Sequence, residues 1–262
     1  IWILTKKRVE ESIISEGKFK YVEFGEGNPI VILHGLMGGL SNFSGVIDFF
    51  PKKNYKIIIP ILPLYTLPVS DTKIKTYADF LDDFIKFKKL KKVILLGNSL
   101  GGHIALVYSK YHSDLVNGLV LTGSSGLYEK SMGDSYPQRG NYEYIKKKSE
   151  EVFFDPKIAT KQIVDEVFET VNNRNKLIRT LAIAKSAIRH NMSNDLPKMN
   201  ICTAIIWGEN DTVTPPNVAN EFHKLLPLST LYWIKECGHA PMMEHPDKFN
   251  SILLKWLNDN KL

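Results

Sequence analysis

The pentapeptide GNSLG at residues 97–101 carries the hydroxyl best placed for nucleophilic chemistry. Four apolar residues precede it at 93–96, and an amphipathic run follows it from His103 to Tyr111. Ordinary small-residue turns also match this short pattern, but strand, sharp turn and helix in this order are typical of a nucleophile elbow. We therefore predict that Ser99 is a nucleophile at a helix N-terminus, where developing negative charge is stabilised.

A serine hydroxyl needs a base, and the base needs an acid that orients it. In a strand–elbow–helix enzyme, the acid follows the serine in the chain and the histidine comes last. Asp211 follows an apolar strand within WGENDTVTP, and His239 follows another within ECGHAP. Taken alone, Asp211 is equally typical of a turn before a helix. The order of the three residues predicts Asp211 as the acid and His239 as the base.

The apolar stretch 30–33 leads into HGLMGG at 34–39. A glycine-rich loop after a strand could hold a phosphate, but the sequence contains neither GxxxxGK[ST] nor GxGxxG. It also suits an oxyanion hole, in which backbone N–H groups bind a carbonyl oxygen as it becomes negative. We predict the N–H groups of Leu36 and Leu100 as the two donors, with Met37 as the alternative to Leu36. The ring of His34 is expected to brace this loop.

The four motifs together resemble the α/β-hydrolase superfamily, over a span from about Lys20 to Trp256. The resemblance implies an α/β fold with a mostly parallel central sheet, helices on both faces and an inserted helical lid. It also implies Ser99 as nucleophile, Asp211 as acid and His239 as base. Serine at the elbow disfavours the superfamily's dehalogenases and epoxide hydrolases, which use aspartate there.

Hydrophobic patterning supports that architecture, because strand-like and helix-like segments alternate along most of the chain. The alternation stops within 126–197, where two helical patterns flank a turn at 172–175 and predict a helical hairpin. We expect a core of residues 1–125 and 198–262 and a lid of residues 126–197, some of whose apolar side chains line a pocket over Ser99. The predicted strands are 19–24, 30–33, 56–61, 93–96, 119–122, 204–207 and 231–234.

The bond to be cleaved is less clear from the sequence. Carboxylic-ester hydrolysis with small or medium acyl groups is the first interpretation. The second is carbon–carbon hydrolysis of diketones, since Asn98 before the serine resembles the meta-cleavage-product hydrolases. Those enzymes carry Trp after the catalytic histidine, where this chain has Ala240, and bind the substrate carboxylate through a lid arginine. Three arginines are available for that role: Arg174, Arg179 and Arg189. A slow, ligand-binding member of the fold is a third hypothesis.

A further departure from the family lies at 60–65, where PILPLY replaces the usual Asp-x-x-Gly-x-Gly turn. We expect this apolar loop to narrow the pocket.

Composition excludes several other classes. The 262 residues carry a net charge of +6, and the lysine runs at 86–92 and 146–148 are interpreted as solvated helix ends, not as a nucleic-acid surface. Apolar stretches are only strand-sized, so we expect no membrane span.

Cys202 and Cys237 do not form a disulfide framework, and no cluster has zinc spacing, so we expect no metal and no cofactor. We expect a cytoplasmic protein, although a removed signal peptide remains open.

Overall fold

The computed structural model describes residues 9–128 and 137–262. Within them, eight strands form one sheet in the order β1-β2-β4-β3-β5-β6-β7-β8. The strands from β3 onwards pair parallel with one another, whereas β2 pairs antiparallel with both β1 and β4. The strands are β1 Ile14–Glu16, β2 Phe19–Phe24, β3 Asn28–Leu33, β4 Tyr55–Pro60, β5 Val93–Asn98, β6 Val116–Thr122, β7 Thr203–Gly208 and β8 Ser229–Ile234.

Helices cover both faces of this sheet, as the strand–helix alternation predicts. They are α1 Ser44–Phe49, α2 Ile74–Phe87, α3 Leu100–Tyr111, α4 Tyr142–Glu150, α5 Lys161–Asn172, α6 Arg174–Arg189, α7 Pro216–Leu225, α8 Pro241–Glu244 and α9 Pro246–Asp259. Among the helices of 9–128 and 137–262, none combines the length and apolarity that a bilayer span requires.

The central strands are buried on both faces, which explains why they appear in the sequence as unbroken apolar runs. Alternate side chains of β3 enter different cores. Val31 and Leu33 pack in the core built with α2, α3 and α7, and Ile30 and Ile32 pack in the core built with α1 and α9. The period-two geometry of a strand therefore joins two hydrophobic layers through one sheet.

All seven predicted strands are present, and one strand was missed. β1 is only three residues long, with Ile14 partly buried and the next two residues exposed, so it has no apolar alternation to find. It pairs with β2 through a turn at Gly17, whose φ of 55° suits glycine.

Among the described residues between β6 and β7, the α-helices are α4, α5 and α6. The predicted hairpin is α5 and α6, joined at Asn173, whose side chain accepts hydrogen bonds from the N–H groups of Asn175 and Lys176 and so caps α6. Helix α4 was not predicted, because its buried face comprises only Ile145 and Ser149. The helical spacing of Ile178 and Ile188 in the sequence predicts that both lie on the apolar face of α6, but both side chains are exposed.

The lysine runs lie at helix ends, as interpreted from the sequence. Lys86 is in the last turn of α2 and pairs with Asp82. Lys148 is in the last turn of α4 and pairs with Glu151.

Candidate active site

Ser99 occupies a sharp turn between β5 and α3. Its backbone has φ 53° and ψ −119°, a conformation that costs a non-glycine residue roughly 1–3 kcal/mol. The surroundings hold it there: the Ser99 N–H donates to the Thr122 carbonyl at 3.1 Å, and the Ser99 carbonyl accepts from Gly102 at 3.0 Å and from Ser125 at 3.2 Å. The serine is thus fixed at the carboxyl end of a central strand and directly before a helix.

The glycines of the elbow are required by close packing. A Cβ at Gly101 would overlap the carbonyl oxygen of Leu33, and a Cβ at Gly97 would overlap the backbone of Gly101 and Gly102. The glycine at each position lets α3 lie directly against β3 and β5. Crowding of this kind is the reason that the GxSxG pattern marks an elbow here.

Asp211 and His239 form a buried hydrogen-bonded pair. Nδ1 of His239 lies 2.9 Å from Oδ2 of Asp211, and the Asp211 side chain has no exposed surface. The carboxylate also accepts from the N–H groups of Val213 (2.8 Å) and Thr214 (2.9 Å) and from the Thr214 hydroxyl (2.9 Å). An ionised carboxylate only accepts hydrogen bonds, so Nδ1 carries the proton and Nε2 keeps a lone pair. His239 is therefore held in the tautomer that a general base needs.

The loop bearing His239 is tied to α8 and to the segment that follows α4. Oε1 of Glu244 accepts from the Gly238 N–H at 2.9 Å, and Oε2 accepts from the Phe154 N–H at 2.8 Å. The N–H of His239 donates to the Val152 carbonyl at 3.0 Å. Glu244 therefore joins the histidine loop to the helical insertion.

The Asn98 side chain donates two hydrogen bonds that could not be predicted from the sequence. Its Nδ2 donates to the Thr122 carbonyl at 3.0 Å and to the His239 carbonyl at 3.2 Å. The side chain thus connects the elbow to the histidine loop. This positioning accounts for an asparagine before the serine without reference to the bond that is cleaved.

The predicted oxyanion loop borders the same space as Ser99 and is braced by His34. Nδ1 of His34 donates to the Gly35 carbonyl at 2.9 Å, and its Nε2 accepts from the Leu62 N–H at 3.3 Å. Burial lowers the pKa of His34 below its ordinary value, despite the opposing hydrogen bond to Gly35, so the ring stays neutral. These contacts are those of a brace.

A cavity of about 210 Å³ lies beside Ser99 and His239. Leu36 and Met37 border it, and Leu100 follows the serine as the first residue of α3. Apolar side chains of the helical insertion supply one wall, so part of the predicted apolar face does line a pocket over Ser99. The insertion contributes Lys148, Ser149, Val152, Phe153, Ile163, Glu166, Val167, Thr180, Leu181 and Ala184.

Two sequence expectations do not match the geometry. Arg174, Arg179 and Arg189 all lie outside the cavity lining; Arg179 donates to the backbone carbonyl of Leu67 at 2.7 Å. The loop at 60–65 also stays out of the lining and instead contacts the oxyanion loop. Sequence pattern could not reveal this role, because the two loops meet only in the folded sheet.

His103 and Cys237 are buried side chains with structural roles. His103 is fully buried, its Nε2 lies 3.0 Å from Nδ1 of His190, and burial together with the His190 charge lowers its pKa to about 3. Cys237 is buried, and burial followed by the charges of Glu244 and Asp211 raises its thiol pKa, which makes it unreactive.

A family described as the alpha/beta hydrolase fold matches residues 28–155. Among solved structures, the chain is similar to MGS-MChE2, an alpha/beta hydrolase enzyme from a sediment metagenome of the Mar Chica lagoon in Morocco. The two are 54% identical with a TM-score of 0.80, over 95% of this chain and 99% of that one.

Two curated proteins are more distant. A 2-hydroxy-6-oxo-6-(2'-aminophenyl)hexa-2,4-dienoic acid hydrolase of Metapseudomonas resinovorans is 28% identical, over 91% of this chain and 87% of its own. Lipase 1 of Psychrobacter immobilis is 25% identical, over 92% of this chain and 83% of its own.

Proposed function

Because the chain belongs to the α/β-hydrolase family, we propose that it is a serine hydrolase that cleaves carboxylic esters through Ser99, His239 and Asp211. The observation that carries the proposal is the buried Asp211–His239 pair, whose tautomer leaves Nε2 basic, in a cavity shared with the strained Ser99. An elbow serine without an oriented base would be a poor nucleophile at neutral pH.

In the proposed reaction, Ser99 Oγ attacks the ester carbonyl carbon while Nε2 of His239 takes the hydroxyl proton. Asp211 stabilises the imidazolium that forms. The N–H of Leu100 and that of Leu36, with the Met37 N–H as the alternative to Leu36, hold the oxyanion of the tetrahedral intermediate. His239 then gives its proton to the departing alcohol, and an acyl-enzyme remains. Water, deprotonated by the same histidine, releases the carboxylic acid and restores the serine hydroxyl.

The helical insertion is proposed as the lid. Residues 126–197 would cover the site, and residues 1–125 and 198–262 would form the catalytic core. Support comes from the side chains of α5 and α6 that border the cavity beside Ser99, such as Val167 and Leu181. A lid of this kind excludes water and shapes the acyl site.

The size of the cavity supports small or medium acyl groups. Its volume of about 210 Å³ is below the roughly 300 Å³ at which pockets for drug-sized ligands begin. Its walls are largely apolar, which suits an aliphatic chain.

Two free thiols, Cys202 and Cys237, are consistent with the proposal of a cytoplasmic enzyme.

Carbon–carbon hydrolysis is the second candidate, favoured by likeness to the dienoic acid hydrolase. Such substrates carry a carboxylate, which needs a cation nearby. Lys148 is the cation among the described lining residues, and it is paired with Glu151. Arg179 is engaged elsewhere, with Leu67. The polar partners in the cavity therefore support the ester more than the dienoate.

The test is hydrolysis of p-nitrophenyl acetate, butyrate and octanoate beside a dienoic ring-fission product. We expect turnover of the short esters, with butyrate ahead of octanoate, and a loss of several orders of magnitude in Ser99→Ala. Ser109→Ala is the matched control, because Ser109 is a buried serine of α3 whose hydroxyl has no partner among the described residues. If only the dienoate is turned over, the enzyme is a carbon–carbon hydrolase and the ester proposal is rejected. If the folded protein turns over neither substrate, a binding module is favoured.

A further inference from the structure

The loop that departs from the family pattern touches the oxyanion loop at two points. The Leu62 N–H donates to Nε2 of His34 at 3.3 Å. The Tyr65 hydroxyl donates to the Leu36 carbonyl at 3.2 Å. Tyr65 is thereby in direct contact with the segment proposed to bind the oxyanion, although it lies outside the cavity lining.

These contacts fix the direction of both candidate N–H donors. In a trans peptide the C=O and the following N–H point in opposite directions, and the described chain has no cis peptide bond. The Gly35 carbonyl is held by Nδ1 of His34 at 2.9 Å, which sets the direction of the Leu36 N–H. The bond from Tyr65 to the Leu36 carbonyl sets the direction of the Met37 N–H in the same way.

The helical insertion surrounds the other side of Tyr65. Burial raises the pKa of the phenol, and the charge of Lys176 opposes that rise. The Lys176 ammonium lies 5.9 Å from the centre of the Tyr65 ring. Helix α6, which carries Lys176, therefore lies against this side chain.

Helix α6 also holds the end of the same loop. Nε of Arg179 donates to the Leu67 carbonyl at 2.7 Å, two residues beyond Tyr65. Thr180, next in the chain, borders the cavity. A short physical path therefore leads from the substrate space through α6 and Tyr65 to the oxyanion loop.

We propose that Tyr65 is a positioning residue: its hydroxyl holds the Leu36–Met37 peptide and so directs the Met37 N–H, the alternative to Leu36 as first donor, at the oxyanion, while α6 lies against the phenol. The inference rests on the proposed function, since it concerns the oxyanion hole of that reaction. Its effect is on the transition state, because a ground-state ester carbonyl gains little from an oriented N–H.

The direct test is Tyr65→Phe, which keeps the buried ring and removes only the hydroxyl. The matched control is Tyr77→Phe: Tyr77 is fully buried in α2, and its hydroxyl has no hydrogen-bond partner among the described residues. With p-nitrophenyl butyrate, we expect kcat to fall roughly tenfold to hundredfold in Tyr65→Phe, less than the 10²–10³ typical of losing a direct donor, with KM within about twofold. A trifluoromethyl ketone, which forms an oxyanion adduct with the serine, should bind more weakly by a similar factor.

Equal kcat in Tyr65→Phe and Tyr77→Phe would overturn the proposal, as would a loss confined to KM. The contribution of α6 is tested by Arg179→Met, which keeps the apolar stem and removes the bond to Leu67. We expect a smaller fall in kcat, and a double variant with Tyr65→Phe that loses less than the product of the two single losses. If the two losses simply multiply, α6 does not act through Tyr65, and that part of the proposal is rejected.

The two proposals fail differently. Absence of Ser99-dependent ester turnover in the unmodified enzyme would reject the proposed function. A fully active, Ser99-dependent enzyme that is indifferent to the Tyr65 hydroxyl would reject only the positioning role.

Discussion

Replacement of Asp211 by Asn changes one atom of a carboxylate that receives four hydrogen bonds. Oδ1 accepts from the N–H groups of Val213 and Thr214, at 2.8 and 2.9 Å. Oδ2 accepts from the Thr214 hydroxyl and from Nδ1 of His239, both at 2.9 Å. The amide of Asp211→Asn must present its NH₂ group on one of these two sides.

The hydrogen-bond donors around the carboxylate favour one of these two orientations. An NH₂ group facing the two backbone N–H donors would lose two hydrogen bonds, each worth about 1 kcal/mol net, for a total of about 2 kcal/mol and a roughly thirtyfold preference for the other orientation. The amide NH₂ therefore faces His239 and needs Nδ1 as an acceptor. The imidazole must then carry its proton on Nε2, where it cannot take the proton of Ser99. A wrong tautomer of this kind lowers kcat by about 10⁴.

The assay is p-nitrophenyl butyrate hydrolysis, with the His239 tautomer read from ¹⁵N NMR of the imidazole. We expect a folded variant, protonated Nε2 and a kcat lowered by roughly four orders of magnitude. Asp247→Asn makes the same chemical change at an exposed residue of α9 and should leave kcat unchanged. A kcat within tenfold of the unmodified enzyme, or an Nε2 that stays unprotonated, would refute the reasoning.

Three other changes have defined outcomes. Gly101→Ala should prevent normal folding, because its Cβ would overlap the Leu33 carbonyl; a soluble variant with an unchanged melting temperature would contradict this. Glu244→Ala removes the acceptor of the Gly238 and Phe154 N–H groups, and should lower the free energy of unfolding by about 2 kcal/mol in urea titration, with a fall in kcat. His103 has a folded pKa lowered from 6.5 to about 3, so the unfolded chain binds the extra proton and stability falls as pH drops from 6.5 towards 3. In His103→Asn, the stability lost between pH 7.5 and pH 5 should shrink by ~2 kcal/mol; an unchanged loss would show that His103 does not titrate in this way.

The sheet could be predicted because its strands are buried on both faces. β5, for example, is buried at every position, and such runs stand out in a sequence. β1 and α4 could not be predicted, since a three-residue edge strand and a helix with two buried residues have almost no apolar pattern. Order along the chain was enough to select Asp211 and His239, which the structure brings to 2.9 Å.

The contacts of individual residues with distant segments could not be predicted from the sequence. The loop at 60–65 was expected to narrow the pocket, whereas the Leu62 N–H and the Tyr65 hydroxyl bond to the predicted oxyanion loop. Arg179 was a candidate for a substrate carboxylate, whereas it binds a backbone carbonyl. Asn98 was a hint about reaction type, whereas its amide joins two loops. Each of these roles depends on segments that are distant in the sequence and adjacent in the fold.

The central claim is that Ser99 is an activated nucleophile, and covalent labelling by a fluorophosphonate tests it most directly. Intact-mass and peptide-mapping spectrometry should find a single adduct, located on Ser99. The adduct should be absent in Ser99→Ala, retained in Ser109→Ala and formed far more slowly in Asp211→Asn. Folded, unmodified protein that takes up no label, or that carries the label on another residue, would contradict the account.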